Sequence, residues 1–288
     1  MKERNGLFTI EFGRYDVRFN VRYIVNWMIL ALLFGCAGND DYSKAAEVRY
    51  EKAANLSQID DILSHSMRKL EDILVVFDFN YTLMYPLTQC LHKINIDTHK
   101  NEFKTIIGQL SHEQADKMLT QMMATQNQKL INERLSAFLK KYSKVNFIIC
   151  SGSLEKNVDA YLSLLNKNCI KIHNSYNLRD FEFLEFPEYL SGHPVYKRGI
   201  IITNRCSKGD VLVSFFRRIA PKPKLIIFID NSTSKLEDVK AAVKSLKNVN
   251  LIIVEYSEYK DKPIPKVSKE EFSRYWYQQV KNFLRTRT

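Results

Sequence analysis

Residues 74–84 read LVVFDFNYTLM. Leu74–Phe77 carries no polar residue on either face, which is how a strand buried inside a parallel sheet reads. The run stops on Asp78, and Asn80, Thr82 and Leu83 follow at fixed offsets. A carboxylate at the carboxyl end of such a strand stands where open parallel sheets gather their ligands. An ordinary strand running into a turn would look the same, so the rest of the chain has to decide.

Four more apolar runs follow: Val145–Cys150, Cys169–His173, Leu225–Ile229 and Leu251–Val254. Amphipathic stretches alternate with them. Apolar residues recur at Val158, Leu162 and Leu165, at Leu212, Phe215, Phe216 and Ile219, and at Leu236, Val239, Val243 and Leu246. This spacing predicts helices, and the alternation predicts an α/β fold: a Rossmann-like parallel sheet with helices on both faces. The strand ends then carry Asp78, Ser151 in FIICSGS, and Asp230-Asn231 in LIIFIDNS, while Lys208 in NRCSKGD opens a helix. Alone, each has a plain explanation. Ser151 suits a helix cap, Lys208 follows a capping Ser207, and Asp230 suits a turn. A carboxylate, a hydroxyl, a lysine and a second carboxylate at one sheet edge form a constellation.

FDFNYTL, ICSGS, SKGDVL and FIDNS, in this order, resemble the four motifs of haloacid dehalogenase superfamily phosphatases. The similarity runs through roughly residues 70–260 and resembles most an uncharacterised bacterial subgroup. It implies that Asp78 attacks phosphorus to form an aspartyl-phosphate that water then hydrolyses. It implies magnesium held by the Asp78 carboxylate, the Asn80 backbone carbonyl and Asp230, with Asn231 beside them. Ser151, Gly152 and Thr82 would meet the phosphoryl group, and Lys208 would neutralise nucleophile and developing charge. The substrate expected is a phosphorylated small molecule.

Two positions depart from that pattern. The residue two after the nucleophile is usually a second aspartate, which protonates the leaving group and later deprotonates water. Here it is Asn80, and loss of that role costs about 10²–10⁴-fold in rate. Asn231 likewise replaces a frequent acid, which lowers the charge offered to a metal. The expectation is a weak magnesium-dependent phosphatase; the alternative is a catalytically inactive binding protein of the same fold.

The N-terminal region reads as a leader over residues 1–36. Arg14, Arg18 and Arg22 precede an apolar stretch from Tyr23 to Phe34, too short for a comfortable membrane span. It ends in Leu33-Phe34-Gly35-Cys36, which resembles a bacterial lipobox with Cys36 as the lipidated residue. The leader ahead of this core is long, and a start at Val21 would shorten it. The expected location is the bacterial cell envelope, lipid-anchored or secreted, with attachment to a membrane by a lipid or signal anchor; a cytoplasmic protein is the alternative. Residues 37–56 read as a polar tether, and residues 57–288 as the main domain.

Within that domain, residues 86–142 read as a small helical cap inserted between the first two motifs. Met118, Met122 and Met123 are expected to pack the cap itself. The stretch 173–199 forms a second, aromatic-rich insertion, with a strand expected at Gly199–Thr203. Ser268 to Glu271 has the pattern of a capping box, and Phe272, Trp276, Val280 and Phe283 line one face of the helix it opens. That helix is expected to dock on the domain.

Composition narrows the classes further. The chain has 288 residues, 45% of them hydrophobic, and only 9 Gly and 7 Pro, so it is globular rather than linker-like. The net charge is +11, but the basic residues are dispersed, and neither zinc-finger spacing nor an RNA-binding aromatic motif occurs. No specific nucleic-acid partner is therefore expected. The five cysteines form no CxxC pair.

Overall fold

A computed structural model describes residues 7–12, 15–20, 47–174, 176–190 and 192–286. Leu7–Phe12 (β1) and Tyr15–Asn20 (β2) form an antiparallel hairpin in a unit of its own, residues 1–44. The expected apolar core Tyr23–Phe34 and Cys36 lie outside the described residues. No helix among those described is long and apolar enough to cross a membrane.

The second unit, residues 45–288, is built on one sheet. Its first elements are Val48–Ala53 (β3), Leu56–Ser64 (α1), Ile73–Phe77 (β4) and Met84–Pro86 (β5). Three helices follow, Lys93–Thr98 (α2), Lys100–Ile107 (α3) and His112–Thr125 (α4), then Gln128–Leu130 (β6), Leu135–Lys141 (α5) and Asn146–Ser151 (β7). Beyond them lie Val158–Lys167 (α6), Phe181–Glu182 (β8), Val195–Lys197 (β9) and Ile200–Ile202 (β10). The chain closes with Lys208–Arg218 (α7), Leu225–Asp230 (β11), Thr233–Val243 (α8), Asn250–Tyr256 (β12) and Lys269–Arg285 (α9).

The main sheet has eight strands in the order β3-β12-β11-β4-β7-β10-β9-β8. All neighbours are parallel except β10–β9 and β9–β8. Successive residues of each strand point to opposite faces, so the apolar runs fill two cores. Val75, Phe77, Phe147 and Ile149 pack beneath α1, α5 and α6, with Ile59, Phe138 and Tyr161 among the contacts. Leu74, Val76, Ile148 and Phe228 pack beneath α7 and α8, against Leu212, Phe215 and Val239. The expected fold class is the one observed.

Boundaries differ in three places. Residues 48–53, expected within a tether, form the edge strand β3, paired in parallel with β12. Edge pairing needs only one apolar side, so the strand carries exposed charge at Arg49 and Lys52 and has no strand-like apolar run. The run Cys169–His173 is not a strand. Only His173 O serves the sheet there, accepting Phe147 N–H at 2.7 Å. Lys171 and His173 are exposed, and the place beside β7 goes to β10, whose three isoleucines are fully buried. A two-residue turn, Arg198-Gly199, joins β9 to β10 with both residues at positive φ, as the tightest hairpins require.

The helical insertion is also smaller than expected. β5 and β6 pair antiparallel at its neck, and α5 beyond them packs into the main core through Leu135, Phe138 and Leu139. The insertion proper, α2 to α4, shares a separate core with α9. Met118 and Met122 pack there against Phe272, Trp276 and Val280. Ser268 and Glu271 make the capping box expected at the start of α9. The Trp276 indole N–H donates to Cys90 O at 3.2 Å, fastening α9 to the insertion.

Candidate functional site

β4 and β11 are neighbours, and the chain departs from this central pair in both directions across the sheet. A crevice opens outside the carboxyl ends of strands at such a switch point. Asp78 N–H donates to Ile229 O at 2.8 Å, which holds Asp78 level with the end of β11 and beside Asp230.

Lys208 reaches these two carboxylates from the first residue of α7. Its ammonium lies 2.5 Å from Asp78 Oδ1 and 2.7 Å from Asp230 Oδ2. Lys208 is 2% exposed, Asp230 1% and Asp78 6%. Burial pushes the Asp78 carboxyl up to about 7 against the pull of Lys208, with Asp230 adding to the rise. Burial acts to lower the Lys208 pKa, but the Asp230 and Asp78 charges outweigh it and hold the lysine above its usual value. The trio carries net charge −1 when all three groups are ionised.

The start of α7 is set by its neighbours. The Ser207 hydroxyl accepts Asp210 N–H at 3.0 Å as the helix cap and donates to Asp238 Oδ1 at 2.7 Å. Gly209 lets α7 approach α8 closely: a Cβ there would stand 2.6 Å from Asp238 O and 2.7 Å from Ala242 Cβ. The glycine of the SKGD motif is thus a packing requirement beside the lysine.

Asp230 both turns the chain and meets the lysine, since its Oδ1 accepts Ser232 N–H at 2.8 Å. The Thr82 hydroxyl donates to Asp78 Oδ2 at 3.4 Å. Thr82 does not line the pocket, so it sits against the carboxylate and not at the surface expected to meet substrate. Ser151 does not cap a helix. It is buried, its Oγ donates to Ser153 Oγ at 3.3 Å, and it lines the pocket with Gly152.

Asn80 and Asn231 stood out in the sequence, but the side chains that hold them did not. Asn80 Nδ2 donates to the Tyr161 hydroxyl at 3.0 Å, and that hydroxyl also pairs with Ser153 Oγ. Tyr161 is fully buried on α6 and stacks on Phe79, with ring centroids 3.8 Å apart at 14°. Hydroxyls therefore run from Ser151 through Ser153 and Tyr161 to Asn80. Asn80 Oδ1 is buried without a partner among the described residues. Asn231 stands close enough to the Tyr259 hydroxyl to offset part of the pKa rise that burial imposes on it. Tyr259 in turn belongs to an aromatic group with Tyr81 and His92.

The pocket has a volume of about 310 Å³. Leu119, Thr120 and Met123 of α4 form one wall, so the insertion stands over the site, and Arg205 forms part of another. Arg205 is bonded to Asp116 of α4 at 2.8 Å, and Asp116 also accepts the Tyr189 hydroxyl at 2.8 Å. This contact ties the loop before α7 to the insertion. No local pattern marked Arg205 or Tyr161 in advance.

Among the described residues, no cluster of three His, Cys, Asp or Glu side chains is placed to hold a metal. The donors that come together are the Asp78 and Asp230 carboxylates, and Asn80, whose backbone carbonyl was the expected third ligand, lines the same pocket. Hard oxygen donors of this kind fit a magnesium ion that keeps several of its waters.

A family described as "Protein of unknown function (DUF2608)" matches residues 55–287, and the chain belongs to it. An "Uncharacterized protein" of Rickettsia bellii (strain RML369-C) is 22% identical over 205 residues, covering 66% of this chain and 70% of that one.

Proposed function

We propose that this DUF2608 member is a magnesium-dependent phosphomonoester hydrolase of haloacid dehalogenase type, with turnover weakened at Asn80. The observation that carries the reading is the buried Asp78–Lys208–Asp230 trio at the switch point of the sheet, with Ser151 and Gly152 on the same pocket. Structural ion pairs are seldom so buried, because removing charge from water is costly unless a function retains it.

In this reading the Asp78 carboxylate attacks phosphorus, and Thr82 and Lys208 hold it in orientation. Ser151 donates to a phosphoryl oxygen and Lys208 offsets the charge that develops. Magnesium, held by Asp78, Asp230 and an Asn80 oxygen, would screen the negative charge of nucleophile and phosphate. Asn80 can orient a leaving oxygen or a water but cannot exchange a proton with either.

A second reading, a ligand-binding protein without turnover, draws support from the way Asn80 and Asn231 are each engaged by a tyrosine. Hydrolysis of para-nitrophenyl phosphate with magnesium separates the two. Under the first reading the natural chain is active and Asp78→Asn is dead. If only Asn80→Asp is active, the second reading holds. If none is active, the phosphatase proposal fails.

The substrate class is a small phosphorylated molecule. We further propose envelope anchoring through Cys36, which rests on the Leu33-Phe34-Gly35-Cys36 run. Intact mass of the mature protein tests it, and an unmodified Cys36 in the membrane fraction would dismiss it.

A further inference from the structure

Sequence alone leaves open whether another side chain takes the place of the missing acid. Among the described residues that line the pocket, none does. The titratable groups lining the pocket are Asp78, Asp230, Tyr81, Cys206 and the cations Arg205, Lys208 and Lys235. No histidine or glutamate is among them, and the insertion contributes only Leu119, Thr120 and Met123. Asp78 is the nucleophile, and Asp230 is committed to Lys208 and to Ser232 N–H. Asn80 is held by Tyr161.

This absence acts unequally on the two chemical steps. In the first, an Asp78 oxygen bonds to phosphorus and the bond from phosphorus to the leaving oxygen breaks, its electron pair going with the leaving group. An acyl phosphate, a phosphoanhydride or an activated aryl phosphate releases a stable anion, so this step needs no acid. In the second, a water oxygen bonds to phosphorus, the bond to Asp78 breaks and restores the carboxylate, and the proton of water passes to solvent. That step lacks a base whatever the donor was, because no carboxylate or imidazole free of Lys208 lines the pocket.

We propose that Asp78 carries its phosphoryl group as a long-lived acyl phosphate, charged by donors whose leaving oxygen needs no proton. The chain then works as a phosphoryl carrier or phosphorylation-dependent switch more than as a rapid hydrolase. This rests on the phosphatase reading above, because it uses the same nucleophile.

The test uses the full chain with magnesium and either acetyl phosphate or para-nitrophenyl phosphate, followed by acid quenching. Intact mass should show one added phosphoryl group, sensitive to hydroxylamine and missing in Asp78→Asn. With the aryl ester, nitrophenol should appear as a burst of about one equivalent per chain, then a phase about 10²-fold slower. Asn80→Asp should remove the burst and raise the slow phase. Asp78-dependent turnover with neither burst nor phosphorylated mass would overturn the long-lived intermediate and leave the phosphatase reading intact. No labelling and no Asp78-dependent turnover would overturn both.

Discussion

The two halves of the pocket hold their polar groups by different means. In the charged half, Asp78 and Asp230 share one ammonium and are nearly cut off from water. In the amide half, Asn80 and Asn231 each meet a tyrosine hydroxyl, and aromatic rings support both tyrosines. The charged half can be tight only because opposite charges meet, whereas the amide half is held by neutral hydrogen bonds and stacking. The amides are therefore built into the fold, with partners of their own.

The largest expected effect breaks the charged half. Lys208→Met leaves two buried carboxylates facing each other, and urea unfolding at neutral pH should show a loss of about 3–5 kcal/mol. A loss below 1 kcal/mol would mean that the carboxylates find other partners. Acid should reach the amide half through His92. Burial lowers its pKa to about 4, and its Nδ1 accepts Ile94 N–H at 3.3 Å to cap α2. Because the folded pKa lies below the unfolded value near 6.5, the unfolded chain binds the extra proton between these values. Stability is thus lost as pH falls from about 6.5 toward 4, by about 3 kcal/mol at most, and His92→Asn should flatten that slope.

A smaller effect sharpens the comparison from the packing side. Gly209→Ala forces α7 away from α8 and carries Lys208 with it, so it should cost about 1–3 kcal/mol and weaken phosphate binding in calorimetry. Unchanged phosphate affinity would separate the lysine from the helix contact. The smallest effect belongs to Tyr161→Phe, which leaves Asn80 Nδ2 without its partner at a cost of about 1 kcal/mol in thermal melts. An equal cost in an Asn80→Ala background would show that Tyr161 acts independently of the amide.

Much of the charged half was legible in advance because parallel strands buried on both faces leave uninterrupted apolar runs. Their ends then place Asp78, Ser151 and Asp230 on one edge. The two amides were legible from their offsets to Asp78 and Asp230, but their supports were not, because those come from helix faces. Residues Val158, Leu162 and Leu165 mark α6 as amphipathic, yet Tyr161 is the residue that reaches the site, and a tyrosine in an apolar stripe looks like core. The Cys169–His173 run misled for a different reason. Local apolarity favours a strand, but occupancy of a sheet position is settled by competition, and Ile200–Ile202 buries more there. The role of Gly209 depends on a neighbouring helix almost thirty residues away in sequence, which no local pattern contains.

The strand Val48–Ala53 has a consequence for handling the protein. It covers the outer ladder of β12, whose Leu251, Ile253 and Val254 are fully buried, and it places the exposed Arg49 and Lys52 on the edge strand, one on each face. The opposite rim ends in a strand of only two residues. Both margins of the sheet thus resist recruiting another molecule's strand. A shortened chain cut at residue 55, where the family match begins, would strip one of these guards and leave a long apolar template for self-association.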